Sequence, residues 1–261
     1  MDPLQALNSK VGHVKAALES TVMFGSSDFG MTQYILFMIL IWIITLALII
    51  GVGRKLTLIP TNKFVNTVEY GYQLVRRDIS ESVIGEGYKK HVPFLATLFF
   101  FILISNFCGL IPGSKTPTGS ISVDWALATC SFFYFNYWGI KAHGGWGYIK
   151  SIAPSGLPKV LVPVIWFFET VSLFLRWLTL AVRLYGNMFA GHMVLGIFAL
   201  ATGVFMTTGI QAMQVGVAGV SLLWFLLLVL MYALETLVAF LQAYVFTMLS
   251  SVYISLAVSE H

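Results

Sequence analysis

Charge is what this sequence has least of. Only 10% of its 261 residues are Asp, Glu, Lys or Arg, against 58% hydrophobic, where soluble domains carry roughly 25% charged residues. With a mean hydropathy of +0.85, the composition excludes an ordinary solvated globule. Cysteine is nearly absent as well. Cys108 and Cys130 sit in apolar runs without CxxC spacing or a nearby histidine, so they read as packing residues. The sequence also lacks internal repeats and low-complexity tracts, a GxxxxGK[ST] phosphate loop, an HExxH helix, and a GxSG-like nucleophile in any span. Nucleotide hydrolysis and intramembrane proteolysis therefore lack their usual residues. No catalytic site, metal or cofactor is expected, and the net charge of +4 belongs to loops and does not signal nucleic acid.

What remains is a series of long apolar runs, too long for the strands of a membrane barrel. The expectation is an all-α integral membrane protein, one membrane domain over residues 1–261. Residues 1–30 form a polar tail without the pattern of a cleaved signal peptide, and 11–24 read as a short surface helix. A first span covers 31–52. Residues 61–84, apolar at Phe64, Val65, Val68, Tyr72, Leu74, Val75 and Ile79, read as an amphipathic surface helix. A transmembrane hairpin follows over 91–140, turning at Pro112, Gly113, Pro117 and Gly119, with Asp124 as a solvated carboxylate near the start of its second arm. Residues 141–158, rich in Gly and Pro, read as a loop.

The rest, 159–258, is two uninterrupted runs of about 40 and 48 residues, or about 60 and 70 Å as helices. The hydrocarbon core is about 30 Å thick. Either each run breaks into two spans, or both lie steeply tilted as a long hairpin turning near Gly203–Ile210. A polar stripe favours tilt. Glu169, Ser172, Arg176, Thr179, Arg183 and Asn187 are spaced three, four, three, four and four apart, which places them on one helix face. Ionisable groups on a lipid-soluble helix must face protein or water and are functional candidates by default. The competing reading is a buried ion pair that ties helices together.

Basic residues orient the chain. The 54–90 and 141–159 loops hold ten Lys and Arg, whereas the N-terminal tail and the Lys115 loop hold three. The N-terminus is expected outside and the C-terminus in the cytoplasm. Glu169 and Arg176 then lie nearer the cytoplasm, Arg183 near mid-depth, and His192 nearer the outside. On the returning helix Glu235 and Gln242, seven apart, share a face, with Glu235 level with His192. An outer His–Glu group and an inner Glu, separated by a cation that never loses its proton, resemble two proton paths that do not connect. His192 alone reads equally well as a helix-contact residue.

RLYGNMFAGH at Arg183–His192 and ETLVAFLQAYVF at Glu235–Phe246 resemble subunit a of the F-type ATP synthase. The resemblance extends to NFCGLIPG at Asn106–Gly113 and ETVSL at Glu169–Leu173. It implies proton translocation through two offset half-channels that serve a rotating ring of c subunits. Arg183 would face the ring carboxylate with Asn187 and Gln242 beside it. His192 and Glu235 would line the outer path and Glu169 the inner one, while Ser172, Arg176 and Thr179 complete the stripe. Other implied partners are peripheral-stalk b-type subunits, further ATP synthase subunits and membrane lipid. The implied location is the bacterial plasma membrane rather than the mitochondrial inner membrane. Asp124 falls where the family pattern has a neutral residue, often Thr, so no family role transfers to it. The alternative is a self-contained proton-coupled secondary transporter, which usually shows repeated halves.

Overall fold

The computed structural model describes residues 22–24, 31–53, 63–111, 114, 116–151, 161–211 and 215–258. A minimal antiparallel ribbon, β1 (Val22–Phe24) and β2 (Met31–Thr32), precedes the helices. The surface helix expected over 11–24 is therefore corrected at its end, where Val22–Phe24 pair as a strand; the rest of it lies outside the described residues. Among the described residues, all regular structure after the ribbon is helical. The chain is an all-α integral membrane protein.

Helix α1 (Gln33–Gly53) is apolar all round and buries only one narrow line, Tyr34, Ile41 and Thr45. Trp42, Ile43 and Ile50 on its other faces are exposed, as befits a helix at the lipid boundary. Helix α2 (Lys63–Gln73) continues through a π-helical stretch, Leu74–Glu81, and a last turn at Ser82–Ile84. The Ser82 N–H reaches the Arg77 carbonyl five residues back, the spacing of a π-helix. Val65, Val75 and Ile79 are buried along this run, and Ser251 donates a hydrogen bond to the Ile79 carbonyl at 3.2 Å. Its apolar side thus packs against the bundle, while Arg76, Arg77 and Asp78 remain exposed.

Helices α3 (Val92–Gly109) and α4 (Ile121–His143) form the hairpin. The expected loop at 141–158 is replaced in part by α5 (Gly145–Ser151). Gly144 turns the chain with a positive φ of 75°, a conformation that favours glycine. The Tyr148 ring then lies over Gly139, and its hydroxyl donates to Asn136 at 2.9 Å.

Helices α6 (Val162–Gln211, 50 residues) and α7 (Val215–Val258, 44 residues) are each unbroken, so the reading with split spans falls. At 1.5 Å per residue they are about 75 and 66 Å long. The turn comes later than Gly203–Ile210, because α6 runs on to Gln211. A lone glycine costs a helix only about 1 kcal/mol, and nothing in residues 204–210 stops it.

By length and composition α1, α3 and most of α6 and α7 suffice to cross a membrane. Helix α4 is long enough but less apolar, carrying Asp124, Asn136, Tyr134, Tyr137 and Trp138. It is packed among its neighbours. The Trp177 indole N–H donates to Thr129 at 3.1 Å, and Ser131 donates to Ser250 at 2.9 Å. The core lies between α3, α4, α6 and α7, filled by Leu95, Phe99, Ile102, Ala128, Phe135, Leu180, Leu184, Ala243 and Phe246.

Candidate functional site

Several residues of the stripe on α6 are satisfied within the helix or by α7, and Arg183 is not. Arg176 donates to Glu169 at 2.7 Å, and its guanidinium carbon lies 5.7 Å from the Tyr253 ring centre on α7. Arg176 is thus ion-paired, but within one helix and partly exposed, so the pair is not the buried tie between helices of the competing reading. Thr179 turns its hydroxyl back to the Leu175 and Arg176 carbonyls at 2.8 and 3.0 Å, and Ser172 is half-buried.

Arg183 differs. It is exposed, and among the described residues it makes no ion pair and no hydrogen bond. Leu178 and Val182 beside it are exposed. Gly186 opens further space, since a Cβ there would meet nothing within 4 Å. Asn187 and Ala190 continue this exposed strip, which a partner helix can approach closely because its side chains are small.

One turn above Arg183, Asn187 donates to the Gln242 side-chain carbonyl at 2.8 Å and joins α6 to α7. Gln242 is buried, and its amide nitrogen has no partner among the described residues. A further turn up, the Glu235 carboxylate, 3% exposed, lies directly against the Gly191 backbone, filling the space where any Cβ would stand. One of its oxygens, Oε1, has no hydrogen-bond partner. His192, the next residue of α6, turns toward the end of α3. Its Nε2 lies 2.9 Å from where a Gly109 Cβ would stand. His192 and Glu235 are thus level on antiparallel helices. Asn187, Glu235 and Gln242 meet in one α6–α7 seam, with His192 turned to α3 at its outer end and Arg183 exposed one turn from Asn187. Glu169 stands apart, fourteen residues below Arg183, or about 21 Å along the helix.

Residues 35–255 match the family described as ATP synthase A chain. The chain belongs to that family. It is 39% identical to the ATP synthase subunit a of Nocardioides sp. over 243 residues, spanning 91% of this chain and 86% of that relative. With the ATP synthase subunit a of Chloroherpeton thalassium the identity is 36%, over 90% of this chain and 69% of the relative. With the ATP synthase subunit a 2 of Prosthecochloris aestuarii it is 34%, over 92% and 72%.

The fold also gathers polar groups that sequence reasoning passed over. Asn106 donates to the Ala239 carbonyl at 3.1 Å and accepts from Thr118 at 2.7 Å. Thr116 lies 2.8 Å from Thr118, hydroxyl to hydroxyl, and donates to the Ser105 carbonyl at 2.9 Å. All are buried, and Ala239 is one turn from Glu235. The TPTG tetrapeptide at 116–119 reads locally as an ordinary turn; only its fold back into the bundle makes it part of the site.

The same fold-back corrects Asp124. Expected as a solvated helix-end carboxylate, it is 0% exposed. Because Thr116, Pro117 and Thr118 are buried above it, α4 begins below the surface of the bundle.

Proposed function

We propose that this chain is the proton-translocating stator subunit of an F-type ATP synthase. It lies in a bacterial plasma membrane with its N-terminus outside and its C-terminus in the cytoplasm, and it has no catalytic site of its own. Its partners are a ring of c subunits that bear a carboxylate, peripheral-stalk b-type subunits and the catalytic head. The observation that carries this reading is Arg183: an exposed guanidinium, unpaired among the described residues, on a long apolar helix whose other arginine is already paired. Such a cation calls for an anion from a partner.

The mechanism follows from the depth order. A proton entering from outside passes His192 and Glu235 and neutralises a ring carboxylate. A neutral site can move into lipid, whereas a charged one is held back by the cost of leaving water. After nearly a full turn the site meets an inner path at Glu169, loses its proton, and is drawn to Arg183. Arg183 remains charged throughout, so it also repels a proton that would pass directly from one path to the other. A membrane potential of 100 mV supplies about 2.3 kcal/mol per charge and biases the direction.

The test is a cross-link. Ala190 is two turns from Arg183 on the same exposed strip. In the intact complex, Ala190→Cys paired with a cysteine beside the ring carboxylate is expected to form a disulfide that stops ATP-driven rotation until it is reduced. A chain that purifies alone and moves protons without a ring would overturn the reading in favour of a self-contained transporter.

A further inference from the structure

Among the described residues Asp124 and Glu235 are the buried carboxylates, and the mechanism above uses only Glu235. Both oxygens of Asp124 lack a hydrogen-bond partner. Its place follows from the packing of α4 on α7. Ser131 meets Ser250 at 2.9 Å, and the Phe135 and Tyr253 rings are 5.9 Å apart, so the two helices run parallel. Asp124 is seven residues before Ser131, and Ala243 is seven before Ser250. Asp124 is therefore level with Ala243, beside Gln242, whose amide nitrogen is also buried and unpartnered. Glu235 is eight residues outward, about 12 Å along α7.

The charged and titratable groups around this level are few. Helix α6 brings His192 from above and Arg183, which is exposed on another face than the buried Leu184 and Met188. Helix α7 brings Glu235, and among the described residues α3 with its loop brings the uncharged Ser105, Asn106, Thr116 and Thr118. No cation among them is paired with Asp124. A bare carboxylate among buried apolar groups is strongly disfavoured. Such a group holds a proton or is served by water, and buried polar sites with several unmatched groups are where water binds.

We propose that Asp124 is a further proton station on the outer path, joined to Glu235 and to the Gln242 amide through bound water. This rests on the proton-path reading above. The O–H bond of Glu235 breaks as an O–H bond forms on Asp124, with water relaying the proton and the negative charge returning to Glu235. Glu235 is then refilled from outside. Asp124 regains its charge when its proton passes to the ring carboxylate that arrives opposite Arg183.

The experiment uses the intact complex in vesicles and compares Asp124→Asn, Asp124→Thr, Asp124→Glu and Glu235→Gln. Proton uptake under an imposed potential, ATP synthesis and subunit content are read together. Assembled Asn and Thr variants are expected to lose proton uptake several-fold, with the Glu variant recovering most of it. An infrared carboxyl C=O band that shifts in D2O should disappear in Asp124→Asn. Parental uptake in Asp124→Thr overturns the proposal. So does loss of assembly in both neutral variants without rescue by Glu, which would make Asp124 a structural group. If Glu235→Gln is slowed while Asp124→Thr is not, only this inference falls. If neither is slowed, the proton-path reading falls with it.

Discussion

The Glu235 carboxylate rests on the backbone of Gly191, closer than any side chain at that position would allow. Residue 191 thus sets where the acid of α7 stands relative to α6. Gly191→Ala is expected to push the carboxylate out of the seam, at an overpacking cost of about 1–3 kcal/mol. The complex should still assemble, because α6 and α7 touch along most of their length. ATP synthesis should fall as it does when Glu235 itself is changed. Synthesis rates in vesicles, with subunit content as control, check this; an unimpaired Gly191→Ala would mean that the seam tolerates a displaced acid.

Glu235→Gln keeps the shape and removes the exchangeable proton. Proton-driven ATP synthesis is expected to drop about 100-fold, the lower end of what a positioned proton-transfer group contributes, with assembly preserved. Exchanging His192 and Glu235 should restore more activity than either single change, since the two are level across the seam. Passive proton conduction through the membrane sector after removal of the catalytic head is the second readout.

Arg183→Lys retains a charge but loses the planar fork and can deprotonate when desolvated, so it is expected to fail in ATP synthesis. Arg183→Ala should abolish coupled synthesis and also let protons leak through the membrane sector. Proton flux into stripped vesicles separates the two roles. Loss of synthesis without leak would leave Arg183 with only its attraction for the ring carboxylate.

Both long helices should lie well beyond the usual tilt of about 20° from the membrane normal. Spin labels at exposed positions along α6, such as Leu175, Val182 and Ala190, should show a shallow change in depth per residue. A change near the full 1.5 Å of an upright helix would contradict the arrangement.

Much of this fold was legible because burial in lipid leaves a coarse signature. Apolar runs marked α1, α3, α6 and α7, and the three-four spacing of polar residues marked the face of α6 that carries Arg183. What the sequence hid depends on contacts made at a distance. Helix α5 is seated by Tyr148 over Gly139, a partnership that no local pattern shows. The π-helical stretch at Leu74–Glu81 looks like any amphipathic segment in a helical-period reading. Asp124 looked solvated because helix ends usually are; a loop that folds inward reverses that. The carboxylate that rests on Gly191 lies 44 residues along the chain, beyond the reach of any local pattern.

Along α6, Glu169 and His192 are 23 residues apart, about 35 Å, more than the roughly 30 Å thickness of the hydrocarbon. On an upright helix that distance would lead straight across the bilayer at one point in its plane. On an inclined helix much of it becomes sideways distance. Under the proposed function, the hairpin would then be a ramp whose two ends open at different places along the rim of anything turning past it. Motion down an ion gradient would be resolved into a tangential push, and the slope of the ramp would set its sense. Driving the same parts backward would push ions uphill, so that one piece of geometry would serve motor and pump alike.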